Sequence, residues 1–64
     1  MSDFAPEVKR ILEENGCRFK RHGKGDHDIW CNPRTGKSFP VDSKIKSRHT
    51  ANGIMKQADI DHKF

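Results

Sequence analysis

Nowhere along this 64-residue chain do more than three apolar residues stand in succession. That excludes a membrane-spanning helix and the apolar stretch of a secretory signal, and the expected compartment is the cytoplasm. A chain this short builds only a thin core. A mean hydropathy of -1.00 is low enough to raise disorder as an alternative. The apolar residues are grouped rather than scattered, which favours a single small domain over residues 1–64 that leans on a partner. Cys17 and Cys31 are too few for a disulfide framework.

The grouping gives the elements. In "APEVKRILEENG", Phe4, Val8, Ile11 and Leu12 recur at spacings of three and four, the stripe of an amphipathic helix. Pro6 and Glu7 suit its first turn, and Gly16 suits its C-terminal stop. "CRFKRH" alternates, with Cys17 and Phe19 expected on a core side and Arg18, Lys20 and His22 on a wet side. "GKG" breaks that strand, "HDIWC" forms a second, and "NPRTGK" is a turn. "SFPV" is a short third strand, held to an edge by Pro40. "DSKIKSRH" reads as a polar loop. "TANGIMKQADI" returns to helical spacing through Ala51, Ile54, Met55 and Ala58, with Gly53 expected to allow close packing on the sheet. The order is α-β-β-β-α. An α+β fold is expected, with a three-stranded antiparallel sheet and both helices on one face, as in double-stranded RNA-binding domains.

Charge is unevenly placed. The net charge is +4 and the pI about 9.4. Residues 17–48 hold nine cations against three aspartates, whereas the first sixteen residues are net acidic. A basic stripe of this kind attracts nucleic-acid phosphates, and a plain solvated surface is the alternative. Lys44, Lys46 and Arg48 precede the second helix, where free backbone N–H groups would share in holding phosphate and Ser47 or Thr50 would cap.

The four histidines and two cysteines include no closely spaced ligand pair, so no metal site is expected. His27 stands out. It follows a glycine-lysine-glycine break and opens a strand, and Gly25 lets backbone come close. An imidazole titrates near neutral pH and can take up a proton and return it. RNA brings its own nucleophile, the 2'-hydroxyl, so one histidine beside a phosphate can start cleavage while lysines stabilise the developing charge. No metal or cofactor is needed for that chemistry. The alternative is a surface histidine that ends a hairpin. Trp30, opposite in parity to Ile29, is expected on the open face, to stack on a base or to meet a protein partner.

Taken in order, "ILEENGCRFKRHGKGDHDIWCNPRTGKSFPV" and "KIKSRHTANGIMKQADI" resemble the HicA family of bacterial toxins from about Val8 to Ile60. The matching pieces are a helix ending in Asn-Gly, Gly-x-His opening the second strand, a proline in the third, and Lys-Gln-Ala closing the last helix. The resemblance implies a small toxin with a double-stranded RNA-binding-like fold that cleaves messenger RNA and arrests growth. It makes His27, in Gly25-Asp26-His27, the catalytic residue. It also implies a HicB-type antitoxin that covers the active surface. Two positions depart from the family pattern: Asp26 stands where serine is frequent, and Asp59 where glycine is frequent.

The site expected from these readings has His27 as general acid or base, with Lys24, Lys37, Lys44, Lys46 and Arg48 holding RNA. His27 and Trp30 would meet the antitoxin. Lys24, Lys37 and His49 are candidates for a second catalytic group. Two other readings remain open: a non-catalytic RNA-binding module, and an inactive toxin that only occupies its antitoxin.

Overall fold

A computed structural model describes residues 3–64. The elements are α1 (Ala5–Glu14), β1 (Arg18–His22), β2 (His27–Asn32), β3 (Lys37–Asp42) and α2 (Arg48–Gln57). The strands form one antiparallel sheet in the order β1-β2-β3, so the α-β-β-β-α expectation holds. β3 is an edge strand, as Pro40 requires.

Val8, Ile11 and Leu12 of the stripe read for α1 are buried, joined by Ala5, while Phe4 is only half-buried ahead of the helix; α2 buries Ala51, Ile54 and Met55, with Ala58 beyond it. These pack in one cluster with Trp30, Phe39 and Val41 of the sheet. Both helices also end in the same way. After α1, Cys17 N–H donates to Leu12 O and Gly16 N–H to Glu13 O, with Gly16 at φ +83°. After α2, Ile60 N–H donates to Met55 O and Asp59 N–H to Lys56 O, with Asp59 at φ +62°. These are paired Schellman closures, and the second places a non-glycine residue in the left-handed region that glycine favours.

Two small polar clasps tie the ends together. The fully buried Asn32 donates from Nδ2 to Ala58 O at 2.9 Å, and its Oδ1 accepts from Arg34 N–H at 3.0 Å. It thereby joins the end of α2 to the β2–β3 turn. Asp3 Oδ1 accepts from Ala5 N–H at 3.0 Å and from Ile45 N–H at 3.1 Å. The segment read as a polar loop is therefore anchored. Ile45 is buried in the core and its carbonyl accepts from Phe4 N–H at 2.7 Å.

Several expectations are corrected. Trp30 is 4% exposed and faces the helices, so Ile29 and the half-buried Cys31 take the open face. The run Ile-Trp-Cys carries no polar residue to fix its parity. The register does so by pairing Trp30 with Phe39. The indole N–H finds no partner among the described residues, at a cost of about 1–3 kcal/mol that burial of so large a ring offsets. Cys17 is buried but precedes β1. Phe19 is 47% exposed because it lies on an outer strand, where every residue is exposed. A register shift between Phe19 and Arg21 carries His22 out of step with Lys20 and opposite Asp28. α2 begins at Arg48, two residues before the expected Thr50. Gly53 faces open space and serves no close contact.

Three predictions follow from these features. Asp59→Gly removes left-handed strain and raises stability by about 1 kcal/mol in urea unfolding. Trp30→Ala costs about 3–5 kcal/mol, comparable with the whole stability of a chain this short, and its urea midpoint collapses accordingly. The hydrogen bonds from Ile45 and Ala5 hold the Asp3 carboxyl below its ordinary value of 3.8. A depressed carboxylate stabilises above its unfolded pKa, and that contribution is lost as pH falls through the lower folded value. Asp3→Asn therefore unfolds with a shallower acid limb than the parent, as measured by circular dichroism.

Candidate active site

The turn between β1 and β2 is built to present His27. Gly23 N–H donates to His27 O at 2.8 Å and His27 N–H to Lys24 O at 3.2 Å. Gly25 takes φ +61°, and space for a Cβ is free there, so its role is the left-handed turn rather than close approach. Ser43 N–H donates to Asp26 O at 2.9 Å, which fastens the end of β3 to the same turn.

His27 is the first residue of β2 and stands opposite Asp42, the last residue of β3. Its Nδ1 lies 2.7 Å from Asp42 Oδ1, with the side chains 52% and 39% exposed. A carboxylate at that distance favours a ring proton on Nδ1, which leaves Nε2 as the unprotonated nitrogen of the neutral ring. Asp26 is the neighbour of His27 in sequence, but the carboxylate in contact with the ring is that of Asp42. Asp26, His27, Asp42, Ser43 and Lys44 line a shallow depression of about 370 Å³. A neighbouring one of about 270 Å³ shares Asp42 and contains His49 and Thr50.

The expected cations separate into groups. Lys24 lies in the His27 turn, and Lys44 lines the depression itself. Lys46 and Arg48 flank the start of α2. Ser47 Oγ already accepts from His49 N–H at 3.1 Å and Thr50 N–H at 3.4 Å. The helix start therefore keeps fewer free N–H groups for a phosphate than expected, and the cap is Ser47, not Thr50. Lys37 pairs with Asn32 at the opposite end of β3, five residues from the His27 level. At strand rise that is roughly 17 Å, so it is not brought to the imidazole. Trp30, beneath the sheet, presents no ring face to a base.

A second histidine–carboxylate pair, His22 Nδ1 donating to Asp28 Oδ1 at 2.9 Å, lies on the helix side of the sheet. Burial pushes the Cys17 thiol up, so it behaves as a small core residue rather than a nucleophile. Among the described residues no three His, Cys, Asp or Glu side chains converge on a metal-sized point. No helix among them is long and apolar enough to cross a membrane.

The fold and site thus define a small α+β protein with an open sheet, carrying a solvent-facing imidazole braced by a carboxylate. The family model of the HicA toxin of bacterial toxin-antitoxin systems matches residues 5–60, and the chain belongs to that family. Membership implies an antitoxin as its partner. No curated protein and no solved structure matches the chain.

Asp42→Ala removes the acceptor 2.7 Å from Nδ1, and the proton of the His27 ring redistributes toward that of a free imidazole while the fold persists. The ring ¹⁵N shifts of His27 then move, and the backbone amide spectrum away from the strand ends stays in place.

Proposed function

We infer that the protein is the toxin of a type II toxin–antitoxin pair, an endoribonuclease that cleaves messenger RNA and arrests growth. The observation that carries this reading is the half-exposed His27, with Nδ1 2.7 Å from Asp42 Oδ1, lining one depression together with Lys44. Family membership supports it.

The chemistry follows from that arrangement. Nε2 takes the proton of a 2'-hydroxyl as its oxygen attacks the adjacent phosphorus. The bond from phosphorus to the 5'-oxygen breaks, and the leaving oxygen takes the proton back from the imidazolium. The products are a 2',3'-cyclic phosphate and a 5'-hydroxyl end. Lys44, with Lys24 across the turn, stabilises the charge that grows on the phosphate oxygens. Asp42 keeps the ring in the working tautomer and balances the positive charge it briefly carries. The antitoxin, of the HicB type, silences the protein by covering this end of the sheet. Trp30 contributes only by supporting the strand from below.

Induction of the parent chain arrests growth, and purified protein leaves cyclic-phosphate ends on RNA. His27→Ala lowers cleavage by about 10²–10⁴-fold, the usual weight of a general acid–base group, with its circular dichroism unchanged. Asp42→Asn falls between the two. Full cleavage by His27→Ala would contradict the proposed role, and RNA bound but left intact by the parent would favour a non-catalytic module.

A further inference from the structure

The surface that leads to His27 is not the one the loop lysines mark. In "RFKR", strict alternation would place Arg18 and Lys20 on one face and Arg21 on the other. The register shift in β1 changes this. Arg18 stands opposite Cys31 and Phe19 opposite Trp30, Lys20 is the extra residue, and Arg21 stands opposite Ile29. Cys31 and Ile29 have the parity opposite to the buried Trp30, so Arg18 and Arg21 are both on the open face. Lys20 is there too, since its Nζ reaches Ser38 Oγ on β3 at 3.3 Å. The bulge thus collects three cations on one side of the sheet.

All three are exposed, and among the described residues none has a carboxylate within ion-pair distance. Most of the acids lie elsewhere, with Asp26 and Asp42 at the His27 end. Glu7, Glu13 and Glu14 are on α1, Asp59 and Asp61 follow α2, and Asp28 is turned to the helix side by His22. His27 and Asp42 share the parity of Ile29 and Pro40 and stand at one end of this same face. From the Arg21 level to the His27 level is two residues of β2, roughly 7 Å; from the Arg18 level it is four, roughly 13 Å.

We propose that the open sheet face is a track for single-stranded RNA, with Arg18, Lys20 and Arg21 holding successive phosphates and feeding the backbone to His27. The proposal deepens the nuclease reading and rests on it. A single strand laid along β1 meets a cation at each step, with Lys20 between Arg18 and Arg21. The floor of the track is Ile29, Cys31 and Pro40. The chain has four phenylalanines and one tryptophan. None lies on this face: Phe19, Trp30 and Phe39 have the opposite parity, and Phe4 and Phe64 pack at the helices. Without stacking rings, the track grips backbone and is tolerant of sequence.

The test measures binding of a non-cleavable 2'-deoxy oligonucleotide across a salt series. The triple variant Arg18→Gln, Lys20→Gln, Arg21→Gln is compared with a control of equal charge loss on the opposite side: Arg10→Gln, Lys56→Gln, Lys63→Gln. Thermal unfolding confirms that both are folded. The track variant is expected to bind at least tenfold more weakly at low salt. Its salt slope should fall by about 2, as loss of three single-strand phosphate contacts requires. The control should keep the parent slope. Equal slopes for parent and track variant would overturn the proposal, and lost antitoxin binding with unchanged oligonucleotide binding would assign the face to a protein instead. His27→Ala, assayed in parallel, binds like the parent but does not cleave. RNA left intact by the parent sinks the nuclease reading without touching the binding result, whereas cleavage by His27→Ala removes only the role given to His27.

Discussion

The pairing of β2 with β3 decides almost everything else in this molecule. It sets Trp30 against Phe39 beneath the sheet and, by the same alternation, His27 beside Asp42 above it. A slip of one residue would send the largest ring of the chain into solvent and the imidazole into the core. The burial that stabilises the fold and the exposure of the imidazole are therefore one constraint. Asn32 guards it: fully buried, it sits two residues from Trp30 with the same parity, and its long-range hydrogen bond to Ala58 O requires its side chain on the helix side.

Around that pair, the molecule is divided by function. The helix side of the sheet carries the core, the two Schellman closures and the second histidine–carboxylate pair. The open side carries the cations of β1 and, at the strand ends, the His27 depression. The elements that fasten the His27 end are small: the left-handed Gly25, the Ser43–Asp26 backbone bond, and the Asp3 clasp on Ile45 next to Lys44. A chain with so thin a core can hold a strand-end site steady because both strands that form it run through the centre of the sheet or pack directly on α2.

Much of this was legible in the residues. The helix stripes, the helix stops, the edge position signalled by Pro40 and the placement of His27 at the start of a strand all came from spacing and turn chemistry. The face of Trp30 did not, because Ile29, Trp30 and Cys31 are all apolar and either parity reads as a plausible core. Asp42 was hidden for a different reason. Its link to His27 is non-local, although the turn held a clue: four residues, Pro33 to Gly36, close Asn32 against Lys37, and counting outward along the hairpin brings His27 opposite Asp42. Ile45 was lost among the cations of its loop. The bulge in β1 has no local signature in "RFKR", since it answers to the partner strand rather than to propensity.

The ring of His27 has its Nδ1 2.7 Å from Asp42 Oδ1. Nitrogen-15 correlation spectra of the uniformly labelled parent chain, recorded on the neutral ring, read the position of its proton directly. A free imidazole in water carries its proton mainly on Nε2. For His27 the account gives the reverse, with Nδ1 showing the pyrrole-type shift and Nε2 the pyridine-type shift. A His27 ring with its proton on Nε2, or exchanging between tautomers like a free side chain, would contradict it.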